Sequence, residues 1–275
     1  MNQQSSDAAR ETASEHFHNC SCGNVRLRFC PDRMCQHMET LFRYVAPPSP
    51  CGYLPAERWS LQYEMVASIS AAEYAERLDA GWRRFGGMLF RPQCPACQAC
   101  RSLRVEVPAF EPNRSQRRAW KRNRDDIQLR IGAPSVSRSR LDLYDRFHML
   151  QSSIKGWPEH PAKDAGSYRE SFVINPAFTE EWCYYLGERL VGVGYTDRLE
   201  ASMSAIYFFY DPDLRDRSLG TYNVLCLLDD CRRHQLPFLY LGYYVDGCRS
   251  LEYKANFKPN QVLDADGNWR DFLRD

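Results

Sequence analysis

Between residues 181 and 244 the chain reads as three strands, a helix and one more strand, and that order leaves few folds open. Residues 181–187 and 190–198 flank a Gly187-Glu188-Arg189 turn, and 202–210 (SMSAIYFFY) supplies the third strand. The polar turn Asp211-Pro212-Asp213-Leu214-Arg215-Asp216 follows, then a helix from about Ser218 to His234, then the aromatic-rich strand 238–244 (FLYLGYY). Short turns make the first three strands antiparallel neighbours, and the helix is a crossover to the fourth. This spacing predicts an α+β fold with a mixed sheet crossed by one helix.

The segment ahead of that core carries its own local signals. Ser70-Ala71-Ala72-Glu73 is a capping box that opens a short helix, with Gly81 as its stop. Trp82–Phe85 and Met88–Arg91 flank Gly86-Gly87 as a β-hairpin should, and 103–107 (LRVEV) alternates as a strand that Pro108 ends. The proline-rich stretch 46–55 (APPSPCGYLP) is extended or turning. A weak boundary at 132–139 (GAPSVSRS) precedes a second amphipathic helix marked by Leu141, Tyr144, Phe147 and His148.

Charge is even overall and uneven locally. The formal net charge is +1, so affinity for nucleic acid has to come from placement rather than excess. Arg114, Arg117, Arg118, Lys121 and Arg122 fall at i, i+3, i+4, i+7 and i+8, one face of a helix, with no acidic residue between 114 and 124. Such a stripe suits a phosphate backbone, although a charge run is more often a solvated face. No run approaches the roughly 18 apolar residues of a membrane span, and residues 1–15 lack the apolar stretch of a signal peptide. A cytoplasmic protein with no membrane partner is the expectation.

Twelve cysteines in such a chain favour metal binding or plain burial over disulfides. Cys94, Cys97 and Cys100 form a CxxCxxC loop that brings thiolates close enough for zinc or an iron–sulfur cluster, and Cys51 is the candidate fourth ligand. A reduced loop without metal is the plainer alternative. Cys20, Cys22, Cys30, Cys35 and His37 are spaced too irregularly to define a second site.

Two further groups can carry chemistry. Arg217-Ser218-Leu219-Gly220-Thr221 leads into a helix N-terminus, where free N–H groups and the helix dipole attract an anion. It partly resembles the loop that holds the coenzyme A pyrophosphate in GCN5-like N-acetyltransferases, with Ser218 where the first glycine would stand. Tyr240 to Cys248 and Tyr253 to Pro259 gather tyrosines and a lysine after the last core strand, with Tyr243 and Lys254 as the leading candidates for a polar pocket.

Taken in order, these pieces resemble the bacterial aminoacyl-tRNA–protein transferases, in particular the aspartate/glutamate leucyltransferases, relatives of the eukaryotic arginyl-tRNA–protein transferases. The resemblance runs over about residues 45–263 and rests on Pro50–Pro55, Phe90-Arg91-Pro92, CxxCxxC, Asn113–Arg118, Tyr210-Asp211-Pro212, Arg217–Thr221, Tyr240–Tyr243, Cys248, Tyr253-Lys254 and Phe257–Pro259. It implies a cysteine-bearing N-terminal domain over 46–135, a GCN5-like N-acetyltransferase-type domain over 136–275, and a variable extension over 1–45. It implies transfer of leucine from leucyl-tRNA to proteins with N-terminal Asp or Glu, marking them for N-degron degradation, with no coenzyme A.

The site residues follow from the same resemblance. Arg217 and the Ser218, Gly220 and Thr221 amides are expected to hold the tRNA 3′ end. Tyr243 would position the ester, Lys254 or Arg91 would pair with the acceptor carboxylate, and Tyr210 and Asp211 would orient the amine. The Arg114–Arg122 helix would grip the acceptor stem. Competing readings are an arginyltransferase of the same family, a coenzyme-A-dependent N-acetyltransferase, and a non-catalytic zinc-dependent RNA-binding protein.

Overall fold

The first described strand lies inside the stretch expected to be an extension. In the computed structural model, which describes residues 38–155, 157 and 161–272, β1 (Glu39–Val45) pairs antiparallel with β4 (Leu61–Ser68), with Val45 opposite Gln62. Period-two alternation of Thr40, Phe42 and Tyr44 suits such an edge, but the pairing that makes it a strand is non-local. The candidate ligands Cys20, Cys22, Cys30, Cys35 and His37 lie outside the described residues. Between β1 and β4 a short ladder joins β2 (Ser49–Pro50) to β3 (Arg58–Trp59).

The local signals that follow are realised. In α1 (Ala71–Asp79) the Ser70 hydroxyl accepts from the Glu73 N–H at 3.2 Å, and the Glu73 carboxylate accepts from the Ser70 N–H at 3.0 Å. The helix buries Tyr74 and Leu78. Next, β5 (Arg83–Phe85) and β6 (Met88–Pro92) form the expected hairpin and complete a four-stranded sheet in the order β1-β4-β6-β5. Gly86 turns it at φ +57°, where a Cβ would stand 2.9 Å from the Glu170 carbonyl oxygen.

The large sheet draws on both sides of residue 135. It has eight strands, in the order β14-β13-β7-β12-β11-β10-β9-β8. Its members are β7 (Arg101–Glu106), β8 (Ile127–Gly132), β9 (Thr179–Leu186), β10 (Arg189–Arg198), β11 (Ser202–Tyr210), β12 (Phe238–Tyr244), β13 (Asn260–Leu263) and β14 (Trp269–Asp271). β7 comes from the cysteine-bearing stretch yet pairs with β12, so no sheet boundary separates 46–135 from 136–275. The described residues form one compact unit.

Helices cover this sheet. α2 (Arg114–Asn123) starts with a capping box made by Asn113 and Gln116, buries Gln116, Ala119 and Asn123, and turns its basic residues outward. α3 (Arg138–Lys155) sets Leu143, Tyr144 and Phe147 into a second aromatic core, which α4 (Ala165–Tyr168) and the π-turn Arg169–Val173 close. α5 (Leu219–Arg233) crosses from β11 to β12 with ten buried residues. Leu103, Val105, Val191 and Leu239 beneath it are 0% exposed, each contributing about 1.5–3 kcal/mol through burial.

One detail of the ladder creates the site. β11 and β12 run parallel but pair only from Ser202–Phe238 to Ser204–Tyr240. β11 continues to Tyr210 and β12 to Tyr244 without pairing to each other, and the gap between them opens a cleft.

Candidate functional site

The cleft measures about 660 Å³ and is lined by β11 from Ser204 to Phe208 and by Leu241, Gly242 and Tyr243 of β12. Its wall under α3 is aromatic and apolar, with Phe85, Phe147, Trp157, Ile206 and Tyr210. Its other lining groups include five basic residues, Arg83, Arg84, Arg215, Arg249 and Lys254. No Asp or Glu among the described residues lines it.

The basic residues at the floor differ in what holds them. Arg84 is saturated: it donates to both carboxylate oxygens of Asp197, to Thr179 Oγ1 at 2.8 Å, to Asn175 Oδ1 at 2.8 Å and to the Gly86 carbonyl. Arg83 is 6% exposed, yet its Nε, Nη1 and Nη2 have no hydrogen-bond partner among the described residues. The rings of Tyr240 and Tyr243 lie 5.5 and 5.6 Å from its guanidinium carbon, which supplies cation–π attraction but no acceptor. Lys254 donates from Nζ to the Tyr243 carbonyl at 2.7 Å. Burial, and then the charge of Arg83, push Lys254 down to about 7. Gly242, at φ +86°, keeps the backbone low between them, since a Cβ there would stand 3.3 Å from Lys254 Nζ.

Tyr243 takes another part than the ester contact expected from the sequence. Its hydroxyl donates to the Gly81 carbonyl at 3.0 Å, with the Phe90 carbonyl also within reach at 3.3 Å. A phenol has one proton to give, so that group is committed to the backbone. Burial raises its pKa further. Tyr243 lines both the cleft and a smaller cavity, and its main-chain carbonyl positions Lys254.

Other expected site residues divide by the same criterion. Tyr210, Ser218, Gly220 and Thr221 line the cleft with Lys254 and Tyr243. Ser218 occupies the left-handed region (φ 55°, ψ 45°) ahead of α5 and makes no side-chain capping hydrogen bond. Asp211 does not line the cleft: fully buried, it pairs with Arg146 at 2.9 Å and with Arg189, and caps the turn after β11. Arg91 points along the small sheet, donating to Gln62 at 2.8 Å and lying 4.8 Å from the Trp82 ring. Arg217 is held by Asp126 at 2.9 Å and by the Arg122 carbonyl.

The five basic residues of α2 are all exposed. Arg117 bonds back to the Pro112 carbonyl and Arg122 to the Asp216 carbonyl. Arg114 and Arg118 line a second cavity of about 440 Å³, together with Thr221 and Tyr253. Thr221 and Tyr253 also line the main cleft, so the basic helix and the cleft share a wall.

Cys51, Cys94, Cys97 and Cys100 line one small cavity of about 30 Å³. The Cys51 sulfur accepts from the Tyr53 and Leu54 N–H groups at 3.4 and 3.5 Å. Burial and the neighbouring sulfurs push Cys100 up to about 12. Their donor chemistry suits zinc or an iron–sulfur cluster, but among the described residues no three ligand side chains stand in a group that could hold a metal ion.

The sequence signals missed Arg83, Arg249 and the aromatic wall at Phe147 and Trp157. Arg83 lay in an Arg-Arg pair within a hairpin strand, and both arginines line the cleft, so nothing in the pair marked which of the two is satisfied by the fold.

Comparison with known proteins places this arrangement. The arginine-tRNA-protein transferase N-terminal model matches residues 49–118, and the C-terminal model of the same family matches residues 139–264. An aspartate/glutamate leucyltransferase from Marinobacter nauticus is 34% identical over 242 residues, covering 87% of this chain and 99% of that protein. One from Campylobacter jejuni is 34% identical and covers 78% and 89%. Among solved structures, the C-terminal domain of a lysylphosphatidylglycerol synthetase from Agrobacterium fabrum covers 70% of this chain and 66% of its own at 14% identity and a TM-score of 0.42. The chain belongs to the arginine-tRNA-protein transferase family, enzymes that move an aminoacyl group from tRNA to protein.

Proposed function

We propose that this enzyme transfers leucine from leucyl-tRNA to proteins whose N-terminal residue is Asp or Glu, marking them for N-degron degradation in the cytoplasm. The observation that carries this reading is the cleft lining: an aromatic wall, five basic residues and no described carboxylate. A leucyl side chain suits the wall of Phe147, Trp157 and Ile206. An arginyl side chain would set another cation beside Arg83 and Lys254 with nothing to neutralise it. An acidic acceptor meets the opposite balance. The names of the Marinobacter and Campylobacter relatives support the same choice.

The chemistry asks little of the chain beyond placement. The acceptor α-amine attacks the ester carbonyl carbon, the new C–N bond forms, and the C–O bond to the terminal ribose breaks. The proton lost by nitrogen ends on the departing ribose oxygen. The ester is already activated, so holding amine and carbonyl in contact supplies most of the acceleration. The Leu219–Thr221 N–H groups of the first turn of α5 face the 3′ end of the tRNA rather than coenzyme A, whereas the Ser218 N–H, expected to join them, is engaged by the Arg215 carbonyl at 3.1 Å. Arg114 and Arg118 continue the path outward along the acceptor stem. Residues 136–275 would make up the GCN5-like N-acetyltransferase-type domain and residues 46–135 the cysteine-bearing one, whose strand β7 joins the large sheet. Cys51, Cys94, Cys97 and Cys100 would take zinc or an iron–sulfur cluster, drawing the loop around it. That role is supported by their shared cavity and by the N–H groups on the Cys51 sulfur.

The test is transfer of radiolabelled leucine or arginine, each supplied as charged tRNA, to peptides beginning Asp, Glu or Ala. Leucine on the Asp and Glu peptides alone is the expected result. Arginine in its place would keep the family and overturn the reading of the aromatic wall.

A further inference from the structure

We propose that Arg83, with Lys254 beside it, seats the side-chain carboxylate of the acceptor's N-terminal residue and is the group that makes the enzyme select acidic N-termini. The inference rests on the cleft being the transfer site and adds the residue that reads the acceptor.

A buried guanidinium without an acceptor is expensive, because its desolvation is not repaid. Arg84, its immediate neighbour, shows how this chain treats an arginine kept for structure: Asp197, Thr179, Asn175 and Gly86 satisfy it. Arg83 receives no such partner, although it is nine-tenths buried and lines the cleft. The second cation, Lys254, makes its bond to the Tyr243 carbonyl, and the open glycine at 242 leaves room beside both groups. A buried guanidinium without a counter-charge, beside an amine that a bound anion would keep protonated, defines a place for an anion at the floor of the cleft.

The shape of the donors selects which anion. A guanidinium offers two parallel N–H groups that match the two oxygens of a carboxylate, and the ammonium adds a third donor from the side. Arg83 lines the cleft floor and carries its fork at the end of a three-carbon stem. The phosphates of the tRNA are the other anions available, but Arg215 and Arg249 are exposed where they line the cleft, and phosphates stay hydrated there. An amide or a methyl group at the acceptor position would leave both floor cations unpaired.

The experiment measures binding and transfer together. Peptides beginning Asp, Asn, Glu and Gln are titrated onto wild type, Arg83→Met and Arg83→Lys, and leucyl transfer to each peptide is followed in parallel. Wild type is expected to bind Asp over Asn by at least about tenfold, the scale of charge-assisted hydrogen bonds. In Arg83→Met that ratio falls towards one, while affinity for tRNA, measured by filter binding, stays at the wild-type level. Arg83→Lys keeps the charge without the fork and gives an intermediate ratio, which serves if the methionine variant does not fold. A folded Arg83 variant with the wild-type Asp-to-Asn ratio would overturn the proposal. Wild type that transfers no leucine but still binds Asp peptides through Arg83 would sustain this inference and sink the leucyl reading. Leucyl transfer with an unchanged ratio in the variants would do the reverse.

Discussion

Arg83 and Arg84 are consecutive in sequence, both buried, and opposite in their electrostatics. Arg84 is locked to Asp197, with both side chains 0% exposed. Arg83 has rings around it and no acceptor. The first arrangement is what stability requires of a buried charge, and the second is what binding requires before the ligand arrives. The difference teaches that burial alone does not distinguish a structural arginine from a functional one, whereas the count of acceptors does. The pair also locates the energetic stress of the fold, at the cleft floor rather than in the core beneath α5.

The largest effect that can break this comparison is expected at Arg84. Arg84→Met leaves Asp197 buried without its cation, and burial already pushes that carboxyl above its usual range. A loss of about 3–5 kcal/mol in urea unfolding is expected. Arg83→Met should lose far less and can gain stability, because it removes an unpaid desolvation. Equal losses at the two positions would erase the distinction drawn between them.

Lys254 sharpens the same comparison through pH. Its folded pKa is about 7 against an ordinary 10.5, so protonating it costs the folded state. Stability contributed at this site is therefore full above about 10.5, falls as the pH drops to about 7, and levels off below. Arg83, Cys100 and Cys248 are the charged or titratable groups that act on it, with Arg83 working in the downward direction. Lys254→Met should melt higher than wild type at pH 6–7, with the gap narrowing towards pH 10, in thermal scans at constant ionic strength. A gap that widens with pH would show that Lys254 is paired and not stressed.

Smaller effects are expected along α2. Arg114→Ala and Arg118→Ala should each weaken tRNA binding several-fold and reduce the salt slope by about one, with the loss growing as salt is lowered. Arg117→Ala and Arg122→Ala, whose side chains bond back to main-chain carbonyls, should cost less. Filter binding over a salt series reads both. The smallest effect on transfer is expected at the cysteines. Purification under anaerobic conditions should give metal that is lost in Cys97→Ser, with transfer changing less than in Arg83→Met.

Much of the fold was legible because its signals are local. Ser70 and Glu73 set a helix start, Gly86 a hairpin, and the 3.6-residue spacing of arginines a helix face, and each is determined within a few residues. The candidate site was legible only where loop chemistry or family motif marked it. Ser218, Gly220, Thr221, Tyr210, Tyr243 and Lys254 do share the cleft. Arg91, Arg217 and Asp211 do not, because Gln62, Asp126 and the Arg146–Arg189 pair engage them elsewhere.

The sequence by itself determined α1, the β5–β6 hairpin, β7, the helices α2 and α3, the order β9-β10-β11-α5-β12 and the family motifs, since these depend on spacing along the chain. Only the tertiary structure decided that β1 is a strand, that β7 lies inside the large sheet, and that β11 and β12 part beyond Ser204 and Tyr240. It alone decided that Asp197 answers Arg84 and that no described acceptor answers Arg83. The reason is physical: caps and periodicities are satisfied by near neighbours, whereas a buried charge is satisfied by groups more than a hundred residues away, and spacing carries no record of them.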